Sequence, residues 1–198
     1  MTQHQPIAFF DFDGTITVHD TFITFGRHAL GLARLAVCIA AASPWLALWK
    51  IGIISNSTAK QRLFSLMFKG VSVDKFAELG ESFAATIDQD LRPDTIAMIK
   101  KHQTMGHRIV IVSASIAHWI RPWAKSQGIR DVIATEADFD RNGRLTGHFA
   151  TFNCHGQEKV DRILEQFPDA AEAETYAYGD SGGDDAMLSF AKHSMKIK

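Results

Sequence analysis

The sequence is poor in cysteine and carries almost no net charge. Of its 198 residues only Cys38 and Cys154 are cysteines, far apart and outside any Cys-x-x-Cys or Cys/His spacing. That excludes a disulfide framework and a structural zinc site, and it suits a reducing cytoplasm. Lys and Arg number 21 against 22 Asp and Glu, a formal charge of −1. No overall field therefore draws the chain to nucleic acid, and any anion site must be local. Met1 to Pro6 is too short and polar to serve as a secretory leader. Long apolar runs are scarce as well. The one that needs judging, Leu35 to Trp49, is uncharged between Arg34 and Lys50. As an unbroken helix it would reach about 22 Å against a hydrocarbon layer of about 30 Å, and Pro44 interrupts it. Two packed helices meeting near Ser43 and Pro44 are expected, rather than a membrane span.

What is present is a globular composition, 46% hydrophobic and 22% charged, sized for one core with a modest inserted subdomain. Short β-rich runs, Ile7 to Phe10, Arg108 to Ala114, Asp131 to Thr135 and Thr175 to Asp180, alternate with stretches of helical period, which predicts a parallel sheet. Pro93 and Gly106 suit the start and end of a helix feeding the Arg108 strand. Asn142-Gly143 between two alternating runs predicts a tight hairpin at the sheet edge. Between the first strand and Pro93 nothing reads as a strand. Leu63, Leu66 and Met67 form one helical stripe there, and Phe76, Leu79, Phe83 and Ile87 another. An all-helical insertion over residues 18–89 is expected, with the α/β core formed by 1–17 and 90–198. Ligands of such sheets sit beyond the carboxyl ends of the strands, so the insertion would form a lid over that mouth.

The acids fall on the same rim. Asp11 and Asp13 follow the first strand, Ser113 ends the second, and Asp180 ends a later one with Asp184 four residues on. Side chains alternate along extended backbone, so Asp11 and Asp13 point to one side. Carboxylates held that close raise one another's pKa unless a cation is present. A hard divalent ion, magnesium rather than zinc, suits oxygen donors arriving from separate strand ends.

These residues resemble the haloacid dehalogenase superfamily of phosphatases. "DFDGT" at Asp11–Thr15, the strand ending in Ser113, Lys159 in "CHGQEK" and "GDSGGDDAML" from Gly179 are similar to its four motifs, in its order. The helical insert and the GDS form of the last motif are similar to subfamily IB, which includes phosphoserine, histidinol-phosphate and phosphatidylglycerophosphate phosphatases. The resemblance implies a Rossmann-like three-layer sandwich with a parallel sheet and an inserted helical cap of the C1 type. It implies Asp11 as a nucleophile forming an aspartyl phosphate, and Asp13 as the acid that protonates the leaving oxygen and then activates water. It also implies magnesium on Asp11, the carbonyl of Asp13 and Asp180, with Asp184 orienting that shell, and a phosphoryl site formed by Ser113, Ala114 and Lys159. Asp20 stands where phosphoserine phosphatase has a glutamate that reads the substrate amine, and Arg62 is the candidate for the substrate carboxylate. Gly183, where that enzyme has asparagine, and Ala114, where it has glycine, weigh against phosphoserine itself.

The expected function is hydrolysis of a small phosphorylated metabolite. A lipid headgroup phosphate, or transfer to an acceptor hydroxyl through the same intermediate, are the alternatives. Membrane contact through the apolar cap is kept open but not expected, because Trp45, Leu46, Leu48, Trp49, Ile51, Ile53 and Ile54 are read as packing the insert. Ser115 is expected to cap a helix, and His19 and His155 to serve packing or the surface.

Overall fold

A computed structural model describes residues 4–198. Strands β1 (Ile7–Phe10), β2 (Arg108–Ile116), β3 (Asp131–Thr135), β6 (Thr175–Gly179) and β7 (His193–Lys196) form one sheet in the order β3-β2-β1-β6-β7. Every pairing in it is parallel. The central strand β1 is buried on both faces, Ala8 and Phe10 turning to one side and Ile7 and Phe9 to the other. Helices α4 (Pro93–Thr104) and α5 (Ala117–Ser126) cover the first face through Ile99, Trp119, Ile120 and Trp123. Helices α6 (Gln157–Gln166) and α7 (Asp185–Phe190) cover the second through Ile163 and Met187. Three layers result, as a sheet with two apolar faces requires.

The expected hairpin is β4 (Ala137–Phe139) with β5 (Leu145–Phe149), antiparallel and apart from the main sheet. Strand β7 was not expected as a partner in the sheet. It is exposed along its whole length, so it carries no buried alternation for sequence reasoning to detect.

Between β1 and β2 lie α1 (Thr21–Lys50), α2 (Asn56–Phe68), α3 (Val73–Ala84) and α4. The break in α1 is not at Ser43-Pro44. Pro44 sits inside the helix, and the backbone leaves helical geometry at Gly31, with φ 76° and ψ 163°. Only glycine enters that region freely, whereas the carbonyl that Pro44 leaves without a donor lies on exposed helix where water can satisfy it. The insert is fastened to the core by aromatic packing. Phe25 of α1 stacks on Trp119 of α5 at 4.2 Å between centroids, and Phe68, Phe76 and Phe83 surround it at 5.3–5.7 Å.

Candidate active site

The site lies at the carboxyl ends of β1, β2 and β6, in a cavity of about 360 Å³ lined on the core side by Asp11, Asp13, Ala114, Lys159, Asp180 and Asp184. Backbone alternation delivers the first pair. Asp11 and Asp13 face the cavity while Phe12 between them turns into the core, edge-on to Trp123 at 5.2 Å.

Lys159, in the first turn of α6, is 2% exposed. Its ammonium donates to Asp11 Oδ1 at 2.6 Å, to Asp184 Oδ1 at 2.6 Å and to the carbonyl of Val112 at 2.8 Å. All three ammonium hydrogens therefore have acceptors. Burial opposes its charge, but Asp11 and Asp184 outweigh burial and raise its pKa above the ordinary lysine value. Asp184 is bound on its other side by the amides of Asp180 and Ser181 and the Ser181 hydroxyl, at 2.9–3.2 Å. Burial alone would raise its pKa; Lys159 and the Ser181 donors hold it below the usual carboxylate range.

Asp11 differs. Burial pushes its pKa up to about 7 against the pull of Lys159, with the charges of Asp184 and Asp13 adding to the rise. Asp180 is also raised, by burial and then by Asp184. Oxygens of Asp11, Asp180 and Asp184 lie within 4.8 Å of one another. Gly14 permits the approach, since a Cβ there would stand 2.3 Å from Asp180 Oδ2, and its φ of +77° suits glycine alone. The donor set fits a hard divalent cation. It is all carboxylate, it bears an unfavourable charge density that such an ion relieves, and with Asp184 engaged by Lys159 and Ser181 the open oxygens belong to Asp11 and Asp180.

Asp13 is gripped by neutral donors. The Thr21 amide donates to Oδ1 at 2.7 Å, the Ser115 hydroxyl donates to Oδ2, and Trp119 Nε1 steadies the Thr21 hydroxyl at 3.1 Å. Burial, then the charge of Asp20, raises its pKa. Ser115 is thus not a helix cap; α5 starts at Ala117, its N-cap position is Ile116 with no side-chain cap, and the serine instead orients Asp13. A bulge makes this geometry. The β2–β3 register shifts between Ser113 and Ile116, turning Ser115 toward Asp13 and leaving the Ala114 carbonyl to the Thr135 hydroxyl, which donates to it at 2.9 Å.

Ser113 is fully buried beside the cavity, its hydroxyl accepting from the Ser115 amide at 2.9 Å. Asp20 lines the cavity, yet its carboxylate also caps α1, accepting from the amides of Phe22 at 2.8 Å and Ile23 at 3.2 Å. Arg62 is not at the site. Its guanidinium lies over the Trp45 ring at 4.4 Å and takes no part in the cavity wall. The cation that enters from α2 is Lys60, which donates to the Ala114 carbonyl at 2.9 Å and lies 4.9 Å above the Phe22 ring. Lost hydration lowers its pKa, against the pull of Asp13 and Asp20. His155, Asn56 and Val18 also line the wall. Lys60, Ser115, Asn56 and His155 had no sequence signal beyond residue type, whereas His19 pairs with Asp90 away from the cavity, Nδ1 to Oδ1 at 2.6 Å.

A family model for haloacid dehalogenase-like hydrolases matches residues 8–189, spanning every element of this site. The chain belongs to that family. It is 33% identical over 197 residues to Protein CicA of Caulobacter vibrioides, covering 95% of this chain and 84% of that one. Among solved structures, a Bordetella pertussis protein of unknown function superposes with a TM-score of 0.84 at 21% identity, covering 98% of this chain and 90% of the other. A substrate-bound phosphoserine phosphatase gives 0.66 at 17%, covering 97% and 85%. At those identities the structures establish that this hydrolase shares their fold.

Proposed function

We propose that this hydrolase cleaves phosphomonoesters of small molecules with the help of magnesium, through a phosphoryl group carried on Asp11. The observation that supports this most is the division of labour between two acids two residues apart. Asp11 is bound to Lys159 and stands beside Asp180 in the oxygen cluster, while Asp13 is held by hydroxyl and amide donors away from that ammonium.

In this reading Asp11 attacks phosphorus and the ester bond breaks. Asp13, whose raised pKa favours the protonated form, gives its proton to the leaving oxygen. The resulting carboxylate then takes a proton from water as that water attacks the aspartyl phosphate, and inorganic phosphate leaves with Asp11 regenerated. Ser115 and Thr21 keep Asp13 aimed through both steps. Lys159 offsets charge on Asp11 and, through that charge, on the phosphoryl group Asp11 carries, while the backbone around Ser113 and Ala114 is offered to the phosphoryl oxygens. Asp11 and Asp180, with the main-chain oxygen of Asp13, would hold magnesium, which draws charge from the phosphoryl group. The helical insert acts as the cap, and Lys60 brings a second cation to the substrate.

A cavity of about 360 Å³ suits a phosphorylated metabolite. A lipid headgroup phosphate is the second reading, favoured by Val18, which lines the cavity while 46% exposed. The two free thiols suit a cytoplasmic setting. The test is phosphate release from a panel of phosphoamino acids, histidinol phosphate, sugar phosphates and a lipid phosphate in detergent, with and without magnesium. Magnesium-dependent release that Asp11→Asn abolishes supports the reading; release unaffected by that substitution overturns it.

A further inference from the structure

Helix α1 is long and apolar enough, by length and composition, to cross a bilayer, and little of its apolar stretch is buried. Beyond Gly31 it packs on α2 along one side only. Leu35 and Ala42 are buried there, Cys38 Sγ meets the Leu66 carbonyl at 3.5 Å, and Arg62 covers Trp45. Much of the rest faces out. Leu32 is 68% exposed and Val37 69%, and at the turn into α2 Ile51 is 69% and Ile53 65% exposed. The expectation that Ile51 and Ile53 pack the insert therefore fails. A soluble helix carries polar residues on such a face; between Arg34 and Lys50 this one carries no charge at all.

Charge is segregated in the same place. From Thr21 to Val73 there is no Asp or Glu, while Arg27, Arg34, Lys50, Lys60, Arg62 and Lys69 are all basic, in a chain whose acids outnumber its bases. All of these except Lys60 are exposed. A second copy of the chain would set these cations against their like, whereas an anionic lipid surface complements them.

We propose that the outer face of the α1–α2 hairpin docks on an anionic membrane surface. Leu32, Val37, Ile51 and Ile53 enter the interface, Trp49 sits at its level, and Arg34 and Lys50 meet lipid phosphates. The helix lies on the bilayer instead of spanning it, because spanning would strip α1 from α2. Asn56, three residues beyond Ile53, lines the active-site cavity, so docking holds the mouth beside the surface. This inference does not rest on the phosphatase reading, and its test does not use the reaction as its main readout.

The full chain is sedimented with phosphatidylcholine vesicles that contain phosphatidylglycerol, and with phosphatidylcholine alone. Sedimentation is expected with the anionic vesicles and is expected to weaken as salt is raised. Val37→Glu/Ile53→Glu should lose binding about tenfold or more, and Arg34→Glu/Lys50→Glu should do likewise. The unfolding temperature and the hydrolysis of p-nitrophenyl phosphate should stay as in the parent. Failure to sediment with anionic vesicles, equal sedimentation with both lipids, or retention by Val37→Glu/Ile53→Glu overturns the proposal. So does concentration-dependent self-association abolished by that variant, which would make a second copy the occupant.

Discussion

Lys60 of the helical insert donates a 2.9 Å hydrogen bond to the carbonyl of Ala114, beside the bulge in β2, where the Thr135 hydroxyl of β3 donates to the same oxygen at 2.9 Å. One ammonium thus ties the insert to the rim of the site and lines its cavity.

Lys60→Met should therefore act mainly on substrate capture. Loss of one hydrogen bond to a charged partner is worth about 1.5–3 kcal/mol, so kcat/KM should fall by roughly 10- to 100-fold, mostly through KM. Steady-state kinetics checks this, with Lys60→Arg retaining part of the loss-prone binding. A fall confined to kcat would place Lys60 in the chemistry instead.

Lys159→Met leaves Asp11 and Asp184 buried without their shared cation. Breaking a buried pair in this way costs about 3–5 kcal/mol, and removing the positive charge beside Asp11 should cost on the order of 10²-fold or more in rate. Denaturant unfolding of the metal-free protein is the check. The deficit should shrink at acid pH, where both carboxyls can take protons.

Asp11, pushed up to about 7, makes cation binding a competition with a proton. Below that value the carboxyl is protonated before the ion arrives, and binding must release the proton. Apparent magnesium affinity should therefore fall by about tenfold per pH unit below 7 and level off above it. Calorimetric titration at several pH values measures it, and a profile flat from pH 5 to 8 would refute the raised pKa.

His102 predicts a separate pH effect on stability. It is buried, its Nε2 and the Tyr178 hydroxyl 2.7 Å apart, and burial, then His107 and Lys101, depresses its pKa to about 4 from the ordinary 6.5. Between those values the unfolded chain takes the proton and the folded one does not. The stability contributed by neutral His102 is thus complete above pH 6.5 and is lost as pH falls toward 4. His102→Gln should flatten that part of the unfolding profile.

Strand ends were legible because short apolar, aromatic or β-branched runs stop abruptly at acids and a serine, so the sequence alone places Asp11, Asp13, Asp180 and Asp184 on one rim. A parallel sheet was expected from strand-like runs alternating with helical ones, and a helical insert from the lack of strand-like runs before Pro93; the strand order was not legible. Lys60 was not legible. It and Arg62 sit two residues apart on one helix, and which of them enters the cavity is decided by how Leu63, Phe64 and Met67 bury and by the Trp45 ring that captures Arg62. Ser115 escaped for a related reason, since a bulge that re-aims a side chain has no signature in a run of small residues. The kink at Gly31 shows that a flexible glycine outweighed a proline whose missing amide lies toward water.

The most direct test of the account is to react Asp13→Asn protein with magnesium and a phosphomonoester, quench in acid and map the modified peptide by mass spectrometry. The substitution removes the group that activates water, so a phosphoryl adduct should accumulate on Asp11 and be absent when Asp11→Asn is added. Turnover at the parent rate with no adduct, or an adduct on another side chain, would contradict it.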